Sequence, residues 1–193
     1  MLFVLARHAH SVLNLELRVN GDPAVDVPLT EEGQKEARLL GAQLAHIRLD
    51  LCVHTRFPRT RETAELAVAG RDVSLEVEPL LDDIDIGELE GSSLERYREV
   101  KEELGRDRPF PGGESLDAAA RRYATAFRGL VARAPEHVLV VCHEIPVRYA
   151  LNAAAGSDLL DGPPFHAIPN AMPFFFDGNA LSTAADRIEQ LAS

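Results

Sequence analysis

The segment His137–Arg148 reads "HVLVVCHEIPVR". Five consecutive apolar residues, Val138 to Cys142, stand between His137 and His143. A run this short and this uniformly apolar, bounded by polar groups, reads as a strand buried on both faces. Pro146 then opens a helix that Gly156 closes, because proline is tolerated in a first helical turn and glycine favours the end. A buried strand leading straight into a helix is the unit of a parallel sheet covered by helices.

The same alternation recurs on both sides. Leu2 to Ala6 reads as a first buried strand, Leu49 to Val53 as a second and Val73 to Val77 as a third. Thr30 is a suitable N-cap, with Glu31 and Glu32 in the first turn and Ala37, Leu40, Gly41 and Leu44 at helical spacing. Pro58 starts a helix through about Ala69, and Ser115 caps a long one whose Leu116, Ala119, Tyr123, Phe127 and Leu130 share a face. Near the C-terminus, Ala171 to Phe176 and a last strand around Leu181 read as a hairpin over Asp177 to Asn179. The expectation is a three-layer α/β/α sandwich with a mostly parallel central sheet. It forms a single domain over residues 1–193, with a short lid-like insertion near 92–114. Within it, Arg98 to Glu114 is the most loop-like stretch of the chain.

Composition narrows the function classes. The chain has 193 residues, of which 46 % are apolar and 26 % charged, as in an ordinary globular domain. Met1 to Ala6 is too short for a signal-peptide core, and no run is long enough to span a membrane, so a cytoplasmic chain without membrane contact is expected. Cys52 and Cys142 lie in apolar runs and read as small buried hydrophobes. The formal net charge of −11 disfavours a nucleic-acid partner. It would also repel a small anion, so an anion site needs cations concentrated at one place.

In an open α/β sheet, ligands bind beyond the carboxyl ends of the strands. Three polar clusters fall there: Arg7-His8 within "LARHAHSVLN" (Leu5–Asn14), Thr55 to Arg59, and His143-Glu144. Arg59 also lies in the first turn of its helix, where free N–H groups favour anions. Two arginines, two histidines and a helix N-terminus at one sheet edge suit a tetrahedral dianion. The competing reading is a metal held by His8, His10, Asp82, Asp83 and Asp85, but it would set Arg7 beside a cation.

"ARHAHSVLN" resembles the Arg-His-Gly-x-Ser/Thr motif of the histidine phosphatase superfamily, which includes the cofactor-dependent phosphoglycerate mutases. The resemblance continues in order through "GDPAVDVPLTEEGQKEARLLG", "TRFPRTRETAE", "LLDDIDIGELEG", "PGGES" and "VVCHEIPVR", and covers Leu2 to about Met172. It implies that His8 is the nucleophile that becomes phosphohistidine. It further implies that Arg7, Arg59 and His143 bind the phosphoryl oxygens, that Asn14 adds a hydrogen bond, and that neither metal nor other cofactor takes part. A neutral imidazole is a competent nucleophile near pH 7.

For the proton donor the resemblance offers two residues. Asp83 occupies the segment where the mutase-like branch uses Glu. Glu144 stands where the acid-phosphatase branch has Asp and the mutase-like branch has Gly. Asp83 is favoured because its surrounding motif is better kept, and Glu144 could instead hold His143 protonated. Ala9, His10 and Leu89 replace the family's usual Gly, Glu or Gln, and Trp. The resemblance further implies that mutases carry longer insertions that keep water from the phosphoenzyme, so the short one here favours hydrolysis of a small phosphorylated metabolite over mutase chemistry. A mutase-type transferase and a phosphate-binding pseudoenzyme remain the alternatives, and the substrate itself is not legible. Phe174, Phe175 and Phe176 together suggest an apolar face to cover, as a homodimer would.

Overall fold

The run at 138–142 is the middle strand of a five-stranded sheet in the computed structural model, which describes residues 1–133 and 135–192. The strands are β1 (Leu2–Arg7), β2 (Leu51–His54), β3 (Ser74–Val77), β4 (His137–Cys142) and β5 (Phe174–Asp177), in the spatial order β3-β2-β4-β1-β5. The first four are parallel, and β5 runs antiparallel to β1 at one edge.

Helices cover both faces. α2 (Glu31–Gln43) and α3 (Pro58–Ala67) pack on one, where Val4, Ala6, Cys52, Leu139 and Val141 point. α5 (Leu116–Ala132), α6 (Glu144–Ala154) and α7 (Gly178–Leu191) pack on the other against Phe3, Leu5, Val53, Val138 and Val140. The alternation of Phe3 and Leu5 against Val4 and Ala6 is the period-two pleat feeding two separate cores. Both faces of β4 are covered, which is why its sequence lacks any polar alternation. The expected sandwich and mostly parallel sheet are the architecture found.

Three local expectations change. The hairpin over Asp177 to Asn179 is a strand running directly into a helix: Asp177 accepts the Ala180 N–H at 2.8 Å and caps α7. Leu181, Ala184, Ala185 and Ile188, all buried, then repeat at helical spacing, so the last "strand" is the first turn of an amphipathic helix. The three phenylalanines divide accordingly, with Phe176 in the core, Phe174 edge-on to Phe165, and Phe175 exposed on the opposite face.

The loop-like stretch from Arg98 is helical as far as Leu104, within α4 (Leu94–Leu104). Ser93 caps it, Tyr97, Val100 and Leu104 turn one face to the core, and Gly105 ends it at φ 69°. The helix expected from Pro146 begins at Glu144, with Pro146 in its first turn. A short α1 (Val12–Leu15) follows the first strand behind a Ser11–Asn14 capping box.

No helix among the described residues is long and apolar enough to cross a membrane.

Candidate active site

The register of the two central strands builds the site. Arg7 is paired with Cys142, and His8 continues the ladder by donating its N–H to Cys142 O at 2.9 Å. His8 and His143 therefore emerge side by side, their rings edge to face with centroids 5.6 Å apart. Asn170 fixes the first turn from the other side, donating from Nδ2 to His8 O at 2.7 Å.

His8 is buried, and its Nδ1 lies 2.8 Å from Ala9 O. That contact requires the proton on Nδ1, which leaves Nε2 with a lone pair directed into the cavity. Burial, reinforced by Arg59 and Arg7, holds the imidazole well below the usual histidine range. A neutral ring whose Nε2 keeps its lone pair is what a nucleophile needs.

Arg59, in the first turn of α3, is buried and organises the rest. Its Nε donates to His8 Nε2 at 3.1 Å, and its Nη2 reaches Asp83 Oδ2 at 3.0 Å and lies 3.2 Å from His143 Nδ1. Asn20 accepts from the same guanidinium through both its side-chain and backbone oxygens. Below it, the Phe57 ring lies 4.3 Å from the guanidinium carbon and meets His143 edge-on at 4.7 Å. His143 has no solvent exposure, and its Nε2 is 2.9 Å from Thr55 Oγ1. Burial first, then the Arg59 charge, hold His143 well below its ordinary range.

Asp83 sits 3.3 Å from His143 Nδ1. Burial raises its carboxyl above the ordinary aspartate range, and the Arg59 charge only partly offsets this. Its segment is clamped from behind by Arg122, which donates to the carbonyls of Leu80, Asp82 and Asp83 and pairs with Glu114. Arg122, on α5, is thus a half-buried brace.

Glu144, the first residue of α6, does not touch His143. One oxygen pairs with Arg7 Nη1 at 3.0 Å and the other with Arg148 Nη1 at 3.1 Å, so it cannot be what keeps His143 protonated. Arg7 Nη1 also donates to Ile168 O at 2.8 Å, while Arg7 Nε is buried without a partner. Asn14 Oδ1 accepts the Ser11 N–H at 3.1 Å, which leaves its amide N–H groups for the cavity it lines.

The groups of the alternative metal reading do not converge. His10 Nδ1 contacts Thr30 Oγ1, Asp82 pairs with Arg56 at 2.5 Å, and Asp85 accepts the Gly87 N–H. Asp82 and Asp85 instead open on a second cleft behind Asp83.

These residues surround a cavity of about 540 Å³. Arg7, His8, Asn14, Arg59, Asp83 and Glu144 line it, and buried His143 backs it through Arg59 and Asp83. Leu13, Leu17, Val19 and Val27 form an apolar wall, and α4 closes the top with Leu94, Tyr97, Arg98 and Lys101. Asn20, Phe57, Arg148 and Asn170 were not singled out from sequence. Asn20 and Asn170 sit in loops beside Gly or Pro and read as turn residues. Arg148 carried a usable signal, standing four residues after Glu144 on one helix face.

Fold and site together define an α/β protein with paired histidines and paired arginines at the carboxyl end of a parallel sheet. The chain belongs to the histidine phosphatase superfamily (branch 1), whose family model matches residues 3–172. It is 33% identical over 164 residues to 2,3-bisphosphoglycerate-dependent phosphoglycerate mutase 2 of Gloeobacter violaceus, covering 78% of this chain and 74% of that one. It is 31% identical over 164 residues to phosphoserine phosphatase 1 of Hydrogenobacter thermophilus, covering 81% and 77%. Among solved structures, TTHB049 from Thermus thermophilus superposes with a TM-score of 0.69 at 31% identity, over 92% of this chain and 94% of that one. The alpha-ribazole phosphatase from Shigella flexneri gives 0.77 at 19% identity, over 92% and 90%, a likeness of fold.

Proposed function

We propose that this protein hydrolyses small phosphate monoesters through a phosphohistidine at His8. The observation that carries the reading is the tautomer fixed by Ala9: Nε2 of a neutral, buried His8 faces Arg59, with Arg7, Asn14 and Asp83 around the same cavity.

Nε2 attacks phosphorus, and the bond from phosphorus to the ester oxygen breaks. Arg7, Arg59 and Asn14 take the non-bridging oxygens, where charge spreads in the transition state. His143, held by Thr55 and set against Arg59 and Asp83, positions those two groups from behind the cavity. Asp83, whose burial favours its protonated form, gives its proton to the departing oxygen. A water molecule then attacks the phosphohistidine, Asp83 takes the water's proton, and the P–N bond breaks. Phosphate leaves, and His8 is neutral again. The chain's own guanidinium groups supply the positive charge these steps need, so no metal is invoked.

Hydrolysis is favoured over transfer to a second metabolite because α4 is all of the insertion that reaches the cavity mouth among the described residues. Similarity to both a mutase and a phosphatase is compatible with one shared phosphohistidine step.

The test is p-nitrophenyl phosphate hydrolysis in excess EDTA by the parent protein and His8→Ala. Turnover that survives EDTA and disappears in the variant supports the reading. Activity lost to EDTA, or kept without His8, overturns it.

A further inference from the structure

The carboxylate that sequence offered as a rival proton donor has a different set of partners. Each Glu144 oxygen is already engaged by a guanidinium, Arg7 at 3.0 Å and Arg148 at 3.1 Å. Arg148 is itself buried, and its other nitrogen pairs with Asp161 at 2.8 Å. Asp161 is shared with Lys101 at 3.0 Å and with Arg106. Arg7 is thus one end of a chain of alternating charges that runs back through Glu144, Arg148 and Asp161 to α4.

Resting on the phosphate-binding reading above, we propose that Glu144 is a built-in competitor for Arg7 that fixes its guanidinium and weakens retention of the released phosphate. Arg7 Nη1 is pinned between Ile168 O and Glu144, which orients the plane of the fork and leaves its buried Nε unpartnered. A phosphoryl oxygen bound by that fork lies close to the Glu144 carboxylate, and like charges at short range inside a cavity repel strongly. Glu144, together with Asp161, also neutralises Arg148, another guanidinium on the cavity wall, which would otherwise add to the pull on any dianion. Both effects act on a free phosphate dianion and on the substrate monoester alike. Where release of phosphate limits turnover, trimming that affinity raises kcat. Glu144 is in this account a positioning residue, acting through Arg7.

The measurement is calorimetric titration of inorganic phosphate and of orthovanadate into the parent, Glu144→Gln and Glu144→Asp, beside kcat and KM for p-nitrophenyl phosphate and for an alkyl phosphate. Glutamine keeps the shape and one hydrogen bond but removes the charge. It is expected to tighten phosphate binding about tenfold and lower KM, while Glu144→Asp returns affinity toward the parent value. If the parent binds both anions and Glu144→Gln binds them no better, the proposal is overturned alone. Selective loss of alkyl phosphate turnover in Glu144→Gln, with phosphate binding unchanged, overturns it in favour of proton donation. A parent that binds neither anion overturns the phosphate-site reading, and this proposal with it.

Discussion

Arg59 donates from Nε to Nε2 of His8 across 3.1 Å, so the atom assigned to attack phosphorus carries a hydrogen bond from the cation assigned to bind it. On the proposed mechanism, a phosphoryl group entering the cavity takes that N–H onto one of its oxygens and frees the lone pair. The same guanidinium holds Asn20, Asp83 and His143, so it acts as the frame of the site as well as a charge.

Arg59→Ala is expected to lower kcat/KM for p-nitrophenyl phosphate about 10²- to 10³-fold, as loss of a buried transition-state donor does. Arg59→Lys should recover little, because a point charge cannot reach four partners as the planar fork does. A lysine variant within about tenfold of the parent would show that charge alone suffices.

Asp83→Asn should discriminate between leaving groups. An activated phenol needs little protonation, whereas an alkyl alkoxide needs a full proton. Alkyl phosphate turnover should fall about 10²-fold or more, with p-nitrophenyl phosphate nearly spared. The pH profile carries the same signature: alkyl phosphate kcat/KM falls at low pH as His8 gains a proton, and at high pH as Asp83 loses one. The alkaline limb should vanish in Asp83→Asn. An unchanged profile in that variant would assign the limb to another group.

Stability should fall on the acid side because of the two buried histidines. Both are held well below 6.5 when folded, so between 6.5 and their folded values the unfolded chain binds protons that the native one refuses. Their contribution is complete above about 6.5 and is lost as pH falls below it, at up to about 1.4 kcal/mol per pH unit for each ring. Urea unfolding across pH 7.5 to 5 should show a shallower slope for His8→Gln than for the parent. Equal slopes would mean that His8 takes up its proton in the native state as readily as in the unfolded one.

Asp177→Ala removes the cap of α7 and should cost about 1 kcal/mol, with Asp177→Asn costing less. Thermal unfolding measures both. Asp161→Asn should cost more, about 2–3 kcal/mol, since Lys101, Arg106 and Arg148 would face each other across a neutral amide in a half-buried place. Hydrogen exchange should then quicken in α4, which Lys101 ties down. Exchange in α4 unchanged from the parent would remove Asp161 as its anchor.

How far sequence reached depended on the range of the forces involved. β4 and the two cores were legible because burial on both faces and helical spacing are local patterns, and the order of the polar clusters followed from the strand ends. The C-terminus misled because Asp177 is equally suited to a turn and to a helix cap. Only Leu181, Ala184, Ala185 and Ile188, read together, decide for the helix. The start of the insertion misled because the glycines and prolines beyond Gly105 outweighed the Tyr97, Val100, Leu104 spacing. Within the site, Arg7, His8, Arg59 and His143 lie where strand ends place them. The Arg7 partner of Glu144 and the carbonyls braced by Arg122 were out of reach, since each depends on which distant segment arrives opposite.

The position of β4 between β2 and β1 has a consequence for biosynthesis. His8 and Arg59 belong to segments made early, but those segments have no shared neighbour in the sheet until residues 137–142 leave the ribosome and insert between them. A nascent chain ending before that strand has the proposed nucleophile and its frame without the strand that joins β1 to β2. The proposed chemistry should appear only once the late strand joins the two halves, so a split between α5 and β4 should yield two silent fragments whose reunion is reported by activity itself.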